Sequence, residues 1–181
     1  NKYLLTASIR ADGSSRFGKN NRFGYFPSAA IAWKMQEEDF IKNIDWLNEL
    51  KVRVSAGETG NANIGNSLAF QTFSAGDNLI FGNDFYNTIY PTRIANPDLT
   101  WEKAIQYDFG VDFGLFKNKI SGSIDYFYKE TKDLLVTIPQ PQNTGFSGQV
   151  QNLGGVSNQG VELTLGVTPI RSDNFSWDVN A

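Results

Sequence analysis

Along residues 106 to 129, "QYDFGVDFGLFKNKISGSIDYFYK", apolar and polar side chains alternate with few faults. Tyr107, Phe109, Val111, Phe113 and Leu115 share one face, and Gln106, Asp108, Gly110, Asp112 and Gly114 share the other. After Lys117 and Asn118 the pattern resumes with Ile120, Ile124, Tyr126 and Tyr128. A period of two belongs to strands, so the segment predicts an antiparallel hairpin. With Lys117-Asn118 as a two-residue turn, Phe116 opposes Lys119, Leu115 opposes Ile120 and Val111 opposes Ile124. Phe109 then opposes Tyr126, Tyr107 opposes Tyr128, and Phe113 covers Gly122. Gly110 with Asp125 and Asp112 with Ser123 fill the other face. One register satisfies every pair.

The same alternation marks further strands. "KYLLTASIR" sets Tyr3, Leu5, Ala7 and Ile9 against Thr6, Ser8 and Arg10, with Leu4 as a fault on the polar side. "YFPSAAIAWK" sets Ala29, Ile31 and Trp33 against Ser28, Ala30, Ala32 and Lys34, and Pro27 fits near a strand start or a bulge. "LKVRVSAG" sets Leu50, Val52, Val54 and Ala56 against Lys51, Arg53 and Ser55. Val161, Leu163, Leu165 and Val167 alternate with Glu162, Thr164, Gly166 and Thr168, and Trp177 and Val179 with Asp178 and Asn180. "MQEEDFIKNIDWLNEL" departs from this period. Phe40, Ile44 and Leu47 recur at helical spacing behind Glu37, Glu38 and Asp39, which predicts a helix.

About seven strands result, and their connections alternate in character. Residues 11–24, 58–98 and 135–156 are long and polar, whereas 35–49, 116–119 and 168–174 are shorter. An up-and-down antiparallel order places successive connections at opposite ends, so one end carries the large loops. The alternation leaves open whether the apolar face meets lipid or a private core. Strand length favours lipid: Trp101–Leu115 and Ile120–Leu134 each run to about 15 residues, against about 5–6 in a sandwich. Aromatic residues at strand ends fit interfacial girdles, with Trp101 and Tyr128 toward the long loops and Trp33, Phe116 and Trp177 toward the short ones, and Tyr107 and Tyr126 are further lipid-interface candidates. The loop asymmetry agrees with outer-membrane barrels.

Composition narrows the chemistry. The 181 residues contain no cysteine and no histidine, which excludes disulfides, thiol and Ser-His-Asp catalysis, and His- or Cys-based metal sites. A net charge of -3 argues against a nucleic-acid partner. No window supplies the roughly 18 apolar residues of a spanning helix, which has no bearing on a barrel. The chain opens at Asn1 without a methionine, which points to a longer polypeptide.

Candidate sites are few. Asp98, Glu102 and Glu58 are loop or loop-edge carboxylates whose reading as glycosidase acids is far less economical than as solvated groups. Asp77, Asn78, Asn83 and Asp84 could hold calcium but lack the EF-hand spacing, so no metal site is assigned. "ETGNANIG" and "NLGGVSNQG" read as turns rather than phosphate loops. Arg16, Lys19 and Arg22 beside Phe17 and Phe23 suit either lipopolysaccharide phosphates or carbonyls within the loop, and the second is the simpler role. Phe81, Phe85, Tyr86 and Tyr90, with Arg93, are candidate substrate-stacking residues, or a loop folding on itself. Asp108, Asp112, Asp125, Glu162 and Asp178 would make the polar wall acidic.

Four stretches in order, "ADGSSRFGKNNRFGYFPSAAIAWK", "LKVRVSAGETGN", "NPDLTWEKAIQYDFGVDFGLFKNKISGSIDYFYKETKDLL" and "NLGGVSNQGVELTL", resemble the C-terminal barrel of SusC/RagA-type TonB-linked outer-membrane proteins of Bacteroidetes. The resemblance covers most of the chain. It implies an all-β, up-and-down transmembrane barrel of about 22 strands, of which this chain is a segment. It also implies a plug and a TonB-contacting segment with no counterpart here, a SusD-like surface lipoprotein partner, and import of oligosaccharides or peptides. Neither a cofactor nor an enzymatic reaction is implied. A soluble carbohydrate-binding β-sandwich, a plug-less porin and a secretion barrel remain the competing readings.

Overall fold

A computed structural model describes residues 1–172 and 175–181. Thirteen strands follow in chain order among the described residues: β1 (Tyr3–Gly13), β2 (Phe23–Lys34), β3 (Leu47–Asn61), β4 (Phe73–Ala75), β5 (Leu79–Phe81), β6 (Asp84–Tyr86), β7 (Ile89–Pro91), β8 (Glu102–Leu115), β9 (Ile120–Lys132), β10 (Leu135–Pro139), β11 (Gly148–Asn152), β12 (Gly155–Ser172) and β13 (Phe175–Asn180). Seven form one antiparallel sheet in the order β1-β2-β3-β8-β9-β12-β13, and the remaining six pair as three small ribbons inside the long connections.

The β8–β9 hairpin adopts the register expected from the alternation: Leu115 opposes Ile120, Val111 opposes Ile124, Phe109 opposes Tyr126 and Tyr107 opposes Tyr128. Positive φ at Lys117 (59°) and Asn118 (58°) matches a type I′ turn, whose twist suits the flanking strands. Gly122 lies under the Phe113 ring, 3.0 Å from where a Cβ would stand. The same parity continues across the sheet, because Trp33 opposes Val52, Val52 opposes Val111 and Ile124 opposes Leu163.

That continuous apolar face is uncovered. Val54, Tyr107, Phe109, Ile124, Tyr126, Val161 and Leu163 are all exposed, and no second layer packs on them among the described residues. A soluble sandwich would bury this face, since about 25 cal/mol is gained per Å² of apolar surface withdrawn from water. The buried hydrophobic residues lie elsewhere: Phe17, Phe26, Ile41, Ala69, Leu99 and Trp101. Strands of 11 to 18 residues in six of the seven sheet positions meet or exceed the length a tilted membrane strand needs, about 9–11 residues.

Three expectations are corrected. The helix of residues 35–50 does not form: Met35–Glu37 makes a single 3-10 turn, Ile41 and Ile44 close further turns through the carbonyls of Glu38 and Ile41, and Leu47 already belongs to β3. The connection has to join adjacent strands, and Leu47 is claimed by its ladder partner Leu115. Tertiary pairing overrides the helical spacing. The strands also reach into the segments assigned to loops, leaving 14–22, 62–101 and 133–154 as the long connections. Residues 168–172, read as part of a turn, extend β12 beyond a register shift between Val167 and Ile170 that accommodates Pro169. The rest of that turn, 173–174, lies outside the described residues.

Glu38 anchors the 35–46 connection. Its carboxylate accepts hydrogen bonds from Lys2 Nζ (2.9 Å), Tyr3 Oη (2.8 Å) and Trp33 Nε1 (3.1 Å), and Tyr3 stacks on Trp33 with 6.1 Å between ring centroids. The bonds from Lys2, Tyr3 and Trp33 hold the carboxyl at about 2, below its ordinary 4.5. A depressed carboxylate pKa stabilises the fold above the unfolded value and ceases to do so as pH falls from 4.5 through 2. The Glu38 side-chain carbon resonance of selectively labelled protein should therefore titrate near the lower value. A midpoint at 4.5 would remove the anchor from this account.

Candidate functional site: the long-loop assembly and the polar wall

The three long connections lie at the same end of the sheet and are joined to one another. Phe17 from 14–22, Leu99 and Trp101 from 62–101, and Phe26 at the start of β2 form a compact cluster. Ring centroids are 5.2 Å apart for Phe17–Trp101 and 5.5 Å for Phe26–Trp101. Phe26 can lie flat there because Gly24 and Gly60 flank it without side chains; a Cβ at either would collide with its ring. Leu135 and Val150 from 133–154 pack on the outside, so all three loops share one core.

Hydrogen bonds complete the assembly. Arg16 Nη1 donates to the Ala62 carbonyl (2.9 Å), and Asn21 Nδ2 to the carbonyls of Asp98 and Leu99 (3.2 Å each). Asn96 Nδ2 donates to Val150 O, Gln149 Nε2 to Ala95 O, and the Thr100 N–H to Asn152 Oδ1, each at 2.9 Å. Arg16 thus serves the loop interior, the simpler of the two roles, while Lys19 and Arg22 are exposed. Glu102 accepts from Asn61 Nδ2 (3.1 Å) and from the Leu135 N–H (3.3 Å), and Glu58 pairs with Lys103 at 3.4 Å. Those carboxylates hold structure together.

Trp101 is a correction. Expected at the lipid interface, it is 5% exposed within the loop cluster. It stands one residue before β8 begins, where the chain turns in among the loops and Phe17 and Phe26 offer it ring contacts. The other aromatic residues expected there remain at the surface: Tyr107, Tyr126 and Trp177 are exposed, Tyr128 is half-exposed, and Trp33 is half-buried against Tyr3.

The aromatic candidates occupy a finger. Strands β4 and β7 pair at its base and β5 and β6 at its tip, with Phe81, Phe85, Tyr86 and Tyr90 all exposed and Phe81 edge-on to Tyr86 at 5.9 Å. Arg93 is not gathered with them. It sits past the base in a cleft of about 740 Å³ with Asn66, Leu68, Thr92, Thr137 and Phe146. Sequence reading missed Thr137 and Phe146, since nothing local marks two residues of a different loop as neighbours of Arg93. The carboxylate-bearing tip gathers no group of three metal-ligating side chains among the described residues.

The polar face of the sheet brings together three of the acidic residues singled out above. Arg53 donates Nε and Nη2 to Asp112 (2.9 Å each) and Nη2 to Asp125 (2.8 Å), and Lys51 lies 2.7 Å from Asp112. Ser55 and Gln106 both donate to Asp108, at 3.0 and 2.8 Å. Gly110 leaves room for the Arg53 guanidinium, which a Cβ would meet at 3.0 Å. Glu162 is exposed on β12, and Asp178 accepts from Thr168 Oγ1 and Ser176 Oγ. The wall is charged, hydrogen-bonded and suited to water or a polar partner.

The family model described as "TonB dependent receptor-like, beta-barrel" matches residues 1–181, the whole chain. The chain belongs to that family. Its barrel segment is of the SusC/RagA type: it is 40% identical over 185 residues to TonB-dependent receptor SusC of Bacteroides thetaiotaomicron, covering 99% of this chain and 18% of that protein. TonB-dependent receptor P39 of Formosa agariphila is 42% identical over 179 residues, covering 97% of this chain and 17% of that protein. The "open-open" structure of the RagAB peptide importer superposes with a TM-score of 0.87 at 32% identity, covering 98% of this chain and 19% of that chain. The siderophore receptor PirA of Pseudomonas aeruginosa shares the fold at a TM-score of 0.59 and 18% identity. The chain thus spans less than a fifth of the curated relatives it matches.

Proposed function

We propose that the chain supplies wall and external loops to an outer-membrane importer. The importer takes up oligosaccharides or peptides with a SusD-like surface lipoprotein, and TonB drives it through parts of the protein beyond this segment. The observation that carries the reading is the bare apolar face opposite a hydrogen-bonded, acidic wall, a division that suits lipid outside and a polar lumen inside. The stitched loops serve capture, not chemistry. No catalytic role is assigned to any residue.

The test is uptake by intact cells. Deleting the full-length gene should abolish import of one oligosaccharide or peptide class, followed by its disappearance from the medium. In the parent strain a protonophore should stop the same import, because TonB draws on the proton gradient whereas a passive porin does not. Import that survives the protonophore but not the deletion would make the barrel a porin. Affinity purification of the tagged full-length protein should bring a lipoprotein with it. Recovery of the protein alone counts against the partnership.

A further inference from the structure

The cleft around Arg93 has properties that neither the fold nor the loop stitching requires. Its two walls come from the 62–101 and 133–154 connections, and the bonds from Gln149 to Ala95 and from Asn96 to Val150 hold those walls at a fixed separation. Its volume, about 740 Å³, lies within the range of small-ligand sites. Arg93 is the one charged residue in its lining among the described residues. Thr92, Thr137 and Asn66 contribute neutral polar groups, while Phe146 and Leu68 contribute apolar surface.

Arg93 itself is held but not neutralised. Its Nη1 donates to the Asn66 carbonyl at 3.1 Å, and Gln71 Nε2 fixes its backbone by donating to the Arg93 carbonyl at 2.6 Å. A guanidinium has five N–H donors, so most remain available. Arg53 and Arg10 each meet a carboxylate within 2.9 Å, whereas Arg93, half-buried, has no ion-pair partner among the described residues. One fixed, unpaired guanidinium in an otherwise uncharged cleft complements a single negative charge and presents a planar fork. A phosphate, with up to two charges, would be undercompensated.

We infer that this cleft is a carboxylate-binding subsite, in which Arg93 takes a carboxylate of the imported molecule and Phe146 packs against the group that bears it. The inference rests on the importer reading and names the substrate chemistry of its external loops. The carboxylate could end a peptide or belong to an acidic sugar. Both present the same group to Arg93.

The test measures binding by calorimetry to the full-length protein, purified with any lipoprotein that accompanies it. The probes are two matched pairs: a tetrapeptide with free or amidated C-terminus, and tetragalacturonate or its methyl ester. The expected result is a preference of about tenfold or more for the carboxylate member of one pair, and that pair identifies the source. R93Q should erase the preference and R93K should retain most of it. T137E, which leaves the Arg93–Asn66 bond in place and supplies an internal carboxylate, should erase it as well. Equal binding within both pairs, absence of binding by all four probes, or a preference that survives both R93Q and T137E overturns the subsite. Cellular uptake by the parent strain separates the two readings. Protonophore-sensitive import with no carboxylate preference sinks only the subsite, whereas import unaffected by gene deletion sinks the importer.

Discussion

Replacing Trp101 with alanine should release all three long loops together while leaving the barrel wall folded. Trp101 touches Phe17 and Phe26, and the cluster they form with Leu99 is also the surface on which Leu135 and Val150 pack. Truncating a buried tryptophan costs about 3–5 kcal/mol. The loss falls on the local opening of the loop assembly, because Trp101 precedes β8 and contributes nothing to the sheet ladder. Amide exchange within 14–22, 62–72 and 133–154 should accelerate about a hundredfold or more, with β8 and β9 unchanged. W101F should cost less. It keeps a ring against Phe17 and Phe26 and removes an indole N–H that is buried without a partner. Acceleration confined to 62–101 would show that the loops are independent, and would undo the shared core.

Leu163→Arg should cost the full-length protein about 2–4 kcal/mol in lipid, whereas Thr164→Arg should cost almost nothing. Leu163 lies midway along the 18-residue β12, opposes Ile124 and is 64% exposed on the face assigned to lipid. A guanidinium there has to snorkel or draw water into the hydrocarbon. Thr164 is the next residue and points to the opposite, polar face, also exposed. The measurement is reversible urea unfolding in vesicles, with heat-dependent gel mobility reporting assembly. A silent L163R beside a damaging T164R would turn the barrel inside out.

Much of the architecture was legible in the residue pattern because a strand's period is local. The pairs from Tyr107–Tyr128 to Leu115–Ile120 could be written down from spacing and a two-residue turn, and the folded register agrees, with Phe116 and Lys119 belonging to the turn. The direction of the apolar face was less accessible, since lipid and a private core demand the same alternation. Strand length and loop asymmetry pointed to lipid, and the uncovered face then agreed. The 35–50 segment misled for the converse reason: helical spacing is also local, but here Leu47 and its neighbours enter a ladder with β8 that no short window displays.

The loops were the least legible part. Arg16 reaches a carbonyl 46 positions away, and the bonds from Asn96 to Val150 and from Gln149 to Ala95 span 54. Contacts of that range leave no periodic trace. Trp101 therefore passed for a girdle residue, and Arg93 was grouped with sequence neighbours on the finger instead of with Thr137 and Phe146.

The sequence by itself determined the seven strands of the sheet, their faces, the β8–β9 register and the end of the sheet that carries the large loops, because alternation and turn chemistry act between near neighbours. Tertiary structure alone decided which aromatic rings are buried, which arginines meet a carboxylate, and where a cleft opens. Those properties depend on how segments far apart in the chain meet.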